Sequence, residues 1–365
     1  MDRIGKNVGN IKNILMAVFI VMIFYLLKTL SALLMPFVLA LLFAILFQPL
    51  ILKLEAVKLP RRLILPVITI ISLLIIIIIF NIFTQSITEI MSEQEYLAGR
   101  LYHKLEQFLV VVNNSIEYEI NVTSLVSEIK SLLNLSILSK TAGGLALSLS
   151  SFTGSFIMFA IYYIIFLSGM SNYKNFLHYV GDGEKGEHMV EGFEIIQKSI
   201  FSYLTIKTLI SLITGFLAGA ACWIFDIRFA VIFGILTFML NFIPSIGSII
   251  ATFPPVLMAL IQSDTVLTPV LLFVILILIQ QLMGTVIEPR IIGDRLRLNT
   301  FTVIFGLIFW GYIWGIPGMF LSVPFMVIVK LILEKMESTI IIARIMGYPE
   351  KSKKAPVRKR KSETK

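Results

Sequence analysis

Cysteine is almost absent from this sequence, since Cys222 is the single one among 365 residues. A disulfide framework and a cysteine-based metal site are therefore excluded. Histidine is also scarce, with three residues, and there is no HExxH pattern, no G-x-S-x-G turn and no phosphate-binding loop. The chain thus offers no constellation for an enzyme, no cofactor motif and no nucleotide site for an ATP-driven pump.

Charge is equally sparse. Only 15% of the residues are charged while 57% are hydrophobic, and the mean hydropathy is +0.92. Such a chain could not cover a core with polar surface, so the composition predicts an all-α, polytopic membrane protein. A helix needs roughly 20 apolar residues to cross the hydrocarbon core. Six predicted full spans lie at 11–34, 31–52, 63–83, 150–168, 201–225 and 265–284.

The distribution of basic residues predicts the orientation of these spans. Lys and Arg residues lie near the N-terminus and in the 53–62 loop. The tail at 336–365 is also basic, because its residues from 350 onward include eight Lys or Arg against two Glu. Because basic flanks mark the cytoplasmic side, both termini are expected on the cytoplasmic side of the membrane. The tail is expected to lie near anionic lipid headgroups rather than to bind nucleic acid.

Residues 84–149, between the N-terminal spans at 1–83 and a C-terminal membrane core at 150–335, are expected outside. Apolar residues recur there at helical spacing, which predicts two amphipathic helices with a turn at Asn113-Asn114-Ser115. Their apolar faces would pack on the membrane domain or on a neighbouring protomer of a homo-oligomer.

One hexapeptide occurs twice in this core, as FAVIFG at 229–234 and FTVIFG at 301–306. Each copy is followed by Ile-Pro with glycine close by, namely Pro244 with Gly247, and Pro317 with Gly315 and Gly318. Proline removes an amide donor, so each copy should form two short helices about a break. The first half, 229–241, would be about 20 Å long at ~1.5 Å per residue, too short to span.

Two reentrant helical hairpins resolve this mismatch and bring the total to about eight membrane segments. Each hairpin follows a full span, so the repeated units are 201–262 and 265–333. The basic residues of the linker at 288–299 place it inside, and the second unit is then inverted relative to the first. Inverted repeats with broken helices are typical of secondary transporters, whose substrate binds where the breaks meet. A chance match between Phe- and Ile-rich segments is the alternative.

Polar side chains near the breaks are the candidate binding groups. Asn241 and Ser245 flank the first break, and Gln280 and Gln281 lie in the intervening span, where an interhelical hydrogen bond is the alternative. Trp310 and Trp314 could stack on a solute or simply pack.

Glu288 is the first candidate for ion coupling, with Asp226 next. Glu288 could instead pair with Arg290 or cap a helix. Lys207 and Lys330, near span ends, are expected to extend to the membrane surface.

At these same residues the sequence resembles a family, the autoinducer-2 exporter family of bacterial membrane permeases. The resemblance is carried by NFIPSIGSIIATFPP (241–255), EPRIIGDRLRLN (288–299) and IFWGYIWGIPGMFLSVPFMVIVK (308–330). One departure is Asn299-Thr300, where relatives commonly have proline. The resemblance implies a small-solute exporter, with some members assigned signal-molecule efflux, others sodium–proton antiport and others a place in sporulation.

The function expected from the sequence is secondary active export of a small polar organic solute, such as a signalling molecule. A sodium–proton antiporter carrying monovalent cations is the first alternative. A non-transporting membrane scaffold is the alternative of another class.

Overall fold

The computed structural model describes residues 2–115, 154–170, 172–292, 298–335 and 337–347. Regular structure in these residues is entirely helical. The N-terminal helices are α1 (Asp2–Thr29), α2 (Ser31–Ala56), α3 (Arg61–Ser92) and α4 (Gln94–Ser115). Pro60 precedes α3 with an extended backbone, and its missing amide donor costs nothing at the start of a helix.

The second part of the chain is built around one long helix. Helices α5 (Gly154–Gly169) and α6 (Tyr173–Val180) meet at an angle of 79°. They lead into α7 (Glu184–Ile224), whose 41 residues correspond to about 60 Å. This length exceeds the ~30 Å hydrocarbon core, so the polar start of α7 extends beyond the apolar part of the bundle.

The helices after α7 are shorter and interrupted. They are α8 (Ala230–Leu240), α9 (Ile246–Gln262), α10 (Leu267–Gln281), a π-helix (Leu282–Ile287), α11 (Glu288–Ile292), α12 (Thr300–Glu334) and α13 (Ile340–Ile345). Both predicted interruptions are confirmed. The first lies between Leu240 and Ile246, and the second is at Gly315, which has a non-helical backbone within α12.

Helices α8 and α9 form an antiparallel pair, named here the first hairpin. The side chain of Gln262, at the end of α9, donates to the carbonyl of Asp226 at 2.6 Å and accepts from the amide of Arg228 at 3.0 Å. The start of α8 and the end of α9 therefore lie side by side at the base of this hairpin. Arg228 also forms an ion pair with Glu93 at the end of α3.

The two halves of α12 form the second hairpin. Hydrogen-bond patterns run through 35 residues, yet a straight helix would hold Gly306 and Met326 about 30 Å apart. In the structure a Cβ on Gly306 would collide with the Met326 side chain, and a Cβ on Gly311 would lie 2.9 Å from Met319. The chain therefore reverses at Gly315, whose φ of 64° favours glycine.

The two hairpins have their bases at opposite ends of α7. A Cβ on Gly219, near the C-terminal end of α7, would lie 3.3 Å from the carbonyl oxygen of Ala230 at the first base. A Cβ on Gly192, near the other end, would lie 2.6 Å from Lys335 Nζ at the second base. The hairpins thus run toward each other along one helix.

Five of these helices are long and apolar enough to cross a membrane, or six if the bent pair α5–α6 counts as one span. The predicted eight segments are not confirmed by this count, because α8, α9 and the apolar part of α1 are shorter. The turn predicted at Asn113-Asn114-Ser115 is wrong, since α4 remains helical through Ser115. The rest of the predicted external region, 116–149, lies outside the described residues.

Candidate functional site

The break of the first hairpin places a polar pair against α7. Asn241, 8% exposed, follows α8 directly and donates from Nδ2 to Oγ of the fully buried Ser211 at 3.0 Å. This bond fixes the tip of the hairpin to the middle of α7. The two side chains satisfy each other in this apolar setting, and an amide and a hydroxyl are also groups with which a polar solute can form hydrogen bonds.

Close backbone approach defines both tips. A Cβ on Gly247 would collide with the carbonyl oxygen of Leu240, and one on Gly318 would collide with that of Trp310. Both glycines were singled out in the sequence, and they occupy equivalent places in the two hairpins. Ser245, in the first break, is exposed and has a positive φ of 61°, a conformation that costs free energy in a residue with a side chain.

The tips of the hairpins meet. The rings of Phe242, beside Asn241, and Phe320, beside Gly318, stack with centroids 5.7 Å apart and planes 19° apart. Pro244 and Pro317, both half-buried, lie in the same two breaks. The tips of the two hairpins are therefore in contact through this ring pair.

A buried ion pair lies one helical turn from Ser211. Lys207 Nζ donates to Oε1 of Glu288 at 2.6 Å, and their side chains are 4% and 20% exposed. Glu288 begins α11 directly after the π-helix, a rare helix form that is frequent at functional sites. The partner of Glu288 is thus Lys207, and Arg290 is exposed.

The prediction that Lys207 and Lys330 extend to the membrane surface is wrong. Both residues are buried, at 3% and 5% exposed, and Lys330 pairs with Glu334 at 3.5 Å. The role of Lys207 was missed because its partner lies 81 positions away. A lone lysine within an apolar span is itself a signal for a charged partner in the bundle, and that signal could have found the pair.

The remaining predicted residues lie around this centre. Gln281 is exposed and accepts from Thr285 Oγ1 at 2.8 Å, while Gln280 is half-buried. Trp310 and Trp314 are buried, and the indole N–H of Trp314 donates to the carbonyl of Leu27 on α1 at 2.9 Å. Trp310 packs on Phe325 with centroids 4.2 Å apart. Trp314 therefore joins the second hairpin to α1, whereas Trp310 packs the two halves of that hairpin against each other.

Asp226, the second choice for ion coupling, lies at the base of the first hairpin and not at the tips. Its carbonyl accepts from Gln262, and it helps to line a separate cavity of about 320 Å³. Within the described residues, no group of three His, Cys, Asp or Glu side chains could hold a metal ion.

Long apolar helices, a common central helix and two facing hairpins define a polytopic helical membrane protein. Comparison with known sequences identifies its family. A family model described as "AI-2E family transporter" matches residues 14–338. The chain therefore belongs to the AI-2E transporter family, and the resemblance found in the sequence is confirmed.

Individual relatives match over shorter stretches. "AI-2 transport protein TqsA" of Escherichia coli (strain K12) is 44% identical over 149 residues, which are 40% of this chain and 43% of the relative. A "Putative transport protein" of Borreliella burgdorferi is 41% identical over 146 residues, 40% of each chain. "Putative transport protein YhhT" of Escherichia coli (strain K12) is 31% identical over 158 residues, 43% of this chain and 45% of the relative. The chain thus spans less than half the length of these relatives.

Proposed function

We propose that this protein is a secondary transporter that exports a small polar organic solute across the bacterial plasma membrane. The observation that carries the proposal is the meeting of two oppositely based hairpins beside Asn241 and Ser211. Discontinuous helices that converge from opposite sides leave backbone and side-chain polar groups available near the membrane midplane. In this proposal both hairpins re-enter the membrane, one from each face, and both chain termini are cytoplasmic.

The chemistry of the site favours a neutral, hydroxylated solute. The tip offers an amide and a hydroxyl, and the one ion pair beside it, Lys207–Glu288, has no net charge. Stacked aromatic rings at Phe242 and Phe320 would flank an apolar part of the solute. The name of the TqsA relative assigns that protein to AI-2 transport, so AI-2 is the first solute to test here.

The ion pair supports coupling to a proton or sodium gradient. A carboxylate that is 20% exposed in an apolar bundle needs a cation, and Lys207 Nζ supplies one at 2.6 Å. A sodium ion or a proton could take the place of the ammonium if α7 and α11 separate during transport. The same pair favours the second candidate function, sodium–proton antiport, in which the monovalent cation is itself the cargo.

Flux measurements in proteoliposomes test the proposal. The purified protein is reconstituted and loaded with a panel of hydroxylated solutes that includes AI-2, with and without imposed proton and sodium gradients. The double variant Lys207→Met/Glu288→Gln removes both charges together and so avoids an unpaired buried charge. We expect it to retain solute exchange while losing the response to the gradient.

Three outcomes separate the hypotheses. Gradient-driven flux of an organic solute supports the exporter. Cation and proton exchange with no solute flux replaces it with the antiporter. If neither solutes nor cations cross faster than in protein-free vesicles, the scaffold hypothesis takes its place.

A further inference from the structure

A cavity of about 590 Å³ lies apart from the hairpin tips, between α2, the start of α3, α5, α6 and α7. Its apolar wall comes from Ile45, Ile51, Leu167, Met170 and Phe201. The volume is in the range of pockets that hold small organic groups. Phe201 begins the apolar stretch of α7, so the cavity lies where the bundle passes from apolar to polar.

The polar wall carries two ion pairs. Arg61 binds Glu55 at 3.2 Å and donates to the carbonyl of Leu167 at 3.4 Å. Lys174 of α6 binds Glu194 of α7 at 2.6 Å. Each carboxylate at the cavity is therefore already neutralised by a cation.

Two further side chains at the cavity carry a charge or a hydrogen-bond acceptor that is not yet paired. Lys198 lines the cavity and forms no ion pair with any residue in the described part of the chain. Three cations, Arg61, Lys174 and Lys198, thus face two carboxylates, which leaves a net charge of +1. Gln48 has a buried Oε1 without a hydrogen-bond partner among the described residues. An unpaired buried acceptor of this kind costs free energy unless a ligand donates to it.

We propose that this cavity binds one anionic phospholipid whose headgroup carries a hydroxyl. The phosphate lies at the surplus charge of Lys198, the Gln48 side chain rotates so that its buried Oε1 accepts from a headgroup hydroxyl, and the acyl chain follows the apolar wall. Basic pockets between membrane helices at the polar boundary are typical sites for anionic headgroups. The site depends on the protein being in a membrane and does not depend on its being a transporter.

A hydroxylated phosphate could also come from solution, so the experiment separates the two sources. The full-length protein in detergent is examined by native mass spectrometry with phosphatidylglycerol, phosphatidylethanol and phosphatidylcholine of identical acyl chains. Phosphatidylethanol has the charge of phosphatidylglycerol but no headgroup hydroxyl. Free glycerol phosphate is added in a separate competition.

Two variants isolate the two polar contacts. Lys198→Gln removes the surplus charge and should weaken phosphatidylglycerol binding about fivefold. The matched control Lys185→Gln removes an exposed lysine of α7 that does not line the cavity, and binding should not change. Gln48→Met keeps the shape of the side chain but removes the acceptor. It should abolish the preference for phosphatidylglycerol over phosphatidylethanol while leaving the preference for both over phosphatidylcholine.

The proposal is supported if the wild-type protein retains phosphatidylglycerol above phosphatidylethanol and phosphatidylethanol above phosphatidylcholine. Equal retention of all three lipids overturns it, as does an equal effect of Lys198→Gln and Lys185→Gln. An undiminished phosphatidylglycerol preference in Gln48→Met overturns the hydroxyl contact. Displacement of the lipid by glycerol phosphate at equal concentration shows a site for soluble phosphates and overturns the lipid assignment. Because Lys198 is exposed, its variant should fold even if Gln48→Met does not.

Discussion

The buried pair Lys207–Glu288 allows us to predict how removal of either charge changes the free energy of unfolding. Removing one member of a buried ion pair leaves the other charge without compensation, which typically costs about 3–5 kcal/mol of stability. The structure indicates which removal is worse. The Lys207 side chain is 4% exposed and that of Glu288 is 20% exposed, so a lone ammonium has less access to water than a lone carboxylate.

We therefore expect Glu288→Gln to lower the free energy of unfolding by about 4–5 kcal/mol, and Lys207→Met by about 3 kcal/mol. The double variant Lys207→Met/Glu288→Gln loses an ion pair but leaves no buried charge behind. Its loss should be at most about 2 kcal/mol, since replacing both partners by groups of similar shape is often close to neutral. The coupling energy in the cycle is then several kcal/mol.

The free energy of unfolding of all four proteins in this double-mutant cycle is measured by SDS titration in mixed micelles, with tryptophan fluorescence as the signal. Exposed pairs serve as the internal reference, because Lys174–Glu194 has side chains 56% and 47% exposed and should show a coupling below about 1 kcal/mol. Additive losses for Lys207 and Glu288, within about 0.5 kcal/mol, would refute the argument that the two charges depend on each other. A larger loss for Lys207→Met than for Glu288→Gln would refute the argument from exposure.

Three further results are expected. Gly247→Ala places a methyl group against the Leu240 carbonyl and should abolish flux, with a stability loss of about 1–3 kcal/mol. The control Gly284→Ala should transport normally, because an added Cβ at Gly284 meets no neighbouring atom within 4 Å. Flux at the wild-type rate in both would show that the first break is not part of the transport site. In a Cys222→Ser background, a cysteine at the exposed position Glu106 should react with an impermeant thiol reagent from outside, and one at the exposed position Lys185 only from inside. Labelling of both cysteines from the same side would contradict the proposed orientation. Asp264→Asn breaks the ion pairs that Asp264 forms with two basic side chains of α4. Because the Asp264 side chain is 85% exposed, the temperature of thermal unfolding should fall by no more than about a degree or two. A larger fall would contradict the screening of these pairs by solvent.

The interruptions of the helices could be predicted because their causes are local. A proline cannot donate its amide, and a 13-residue apolar segment that ends at Asn241 cannot span a bilayer. The structure accordingly ends α8 at Leu240, one residue earlier. The partner of Glu288 could not be predicted in the same way, because 81 positions separate it from Lys207 and no local rule distinguishes Lys207 from Arg290.

The error at Asn113-Asn114-Ser115 has a related cause. Asparagine and serine favour turns because their side chains compete for backbone hydrogen bonds, but this preference is weak and a helix already formed can continue through them. At the start of the same region, α3 runs to Ser92 and a new helix begins at Gln94, so the apolar residues of the first predicted amphipathic helix are divided between two helices. Amphipathic spacing alone contains no information about where one helix ends and the next begins.

The repeated hexapeptide shows how far a sequence repeat determines structure. Both copies lie at the base of a hairpin, FAVIFG across the start of α8 and FTVIFG across the start of α12. In each copy the final glycine allows close packing, but against different neighbours. A Cβ on Gly234 would lie 2.9 Å from the carbonyl oxygen of Gly215 on α7, whereas one on Gly306 would collide with Met326 in the other half of its own hairpin.

This difference follows from the inversion. The first hairpin packs lengthwise on the small residues of α7, because Gly215 and Gly219 let two backbones approach. The second hairpin meets α7 from the opposite end, where the aromatic residues of α12 pack on α1 through Phe309 and Trp314 instead. Equivalent glycines thus serve two unequal environments, so the two hairpins need not move alike. If the solute site lies where their tips meet at Phe242 and Phe320, its two walls are held in place by different contacts. The first hairpin is held to α7 by close backbone approach along its length and by the Asn241–Ser211 hydrogen bond at its tip, whereas the second is held through its contacts with α1.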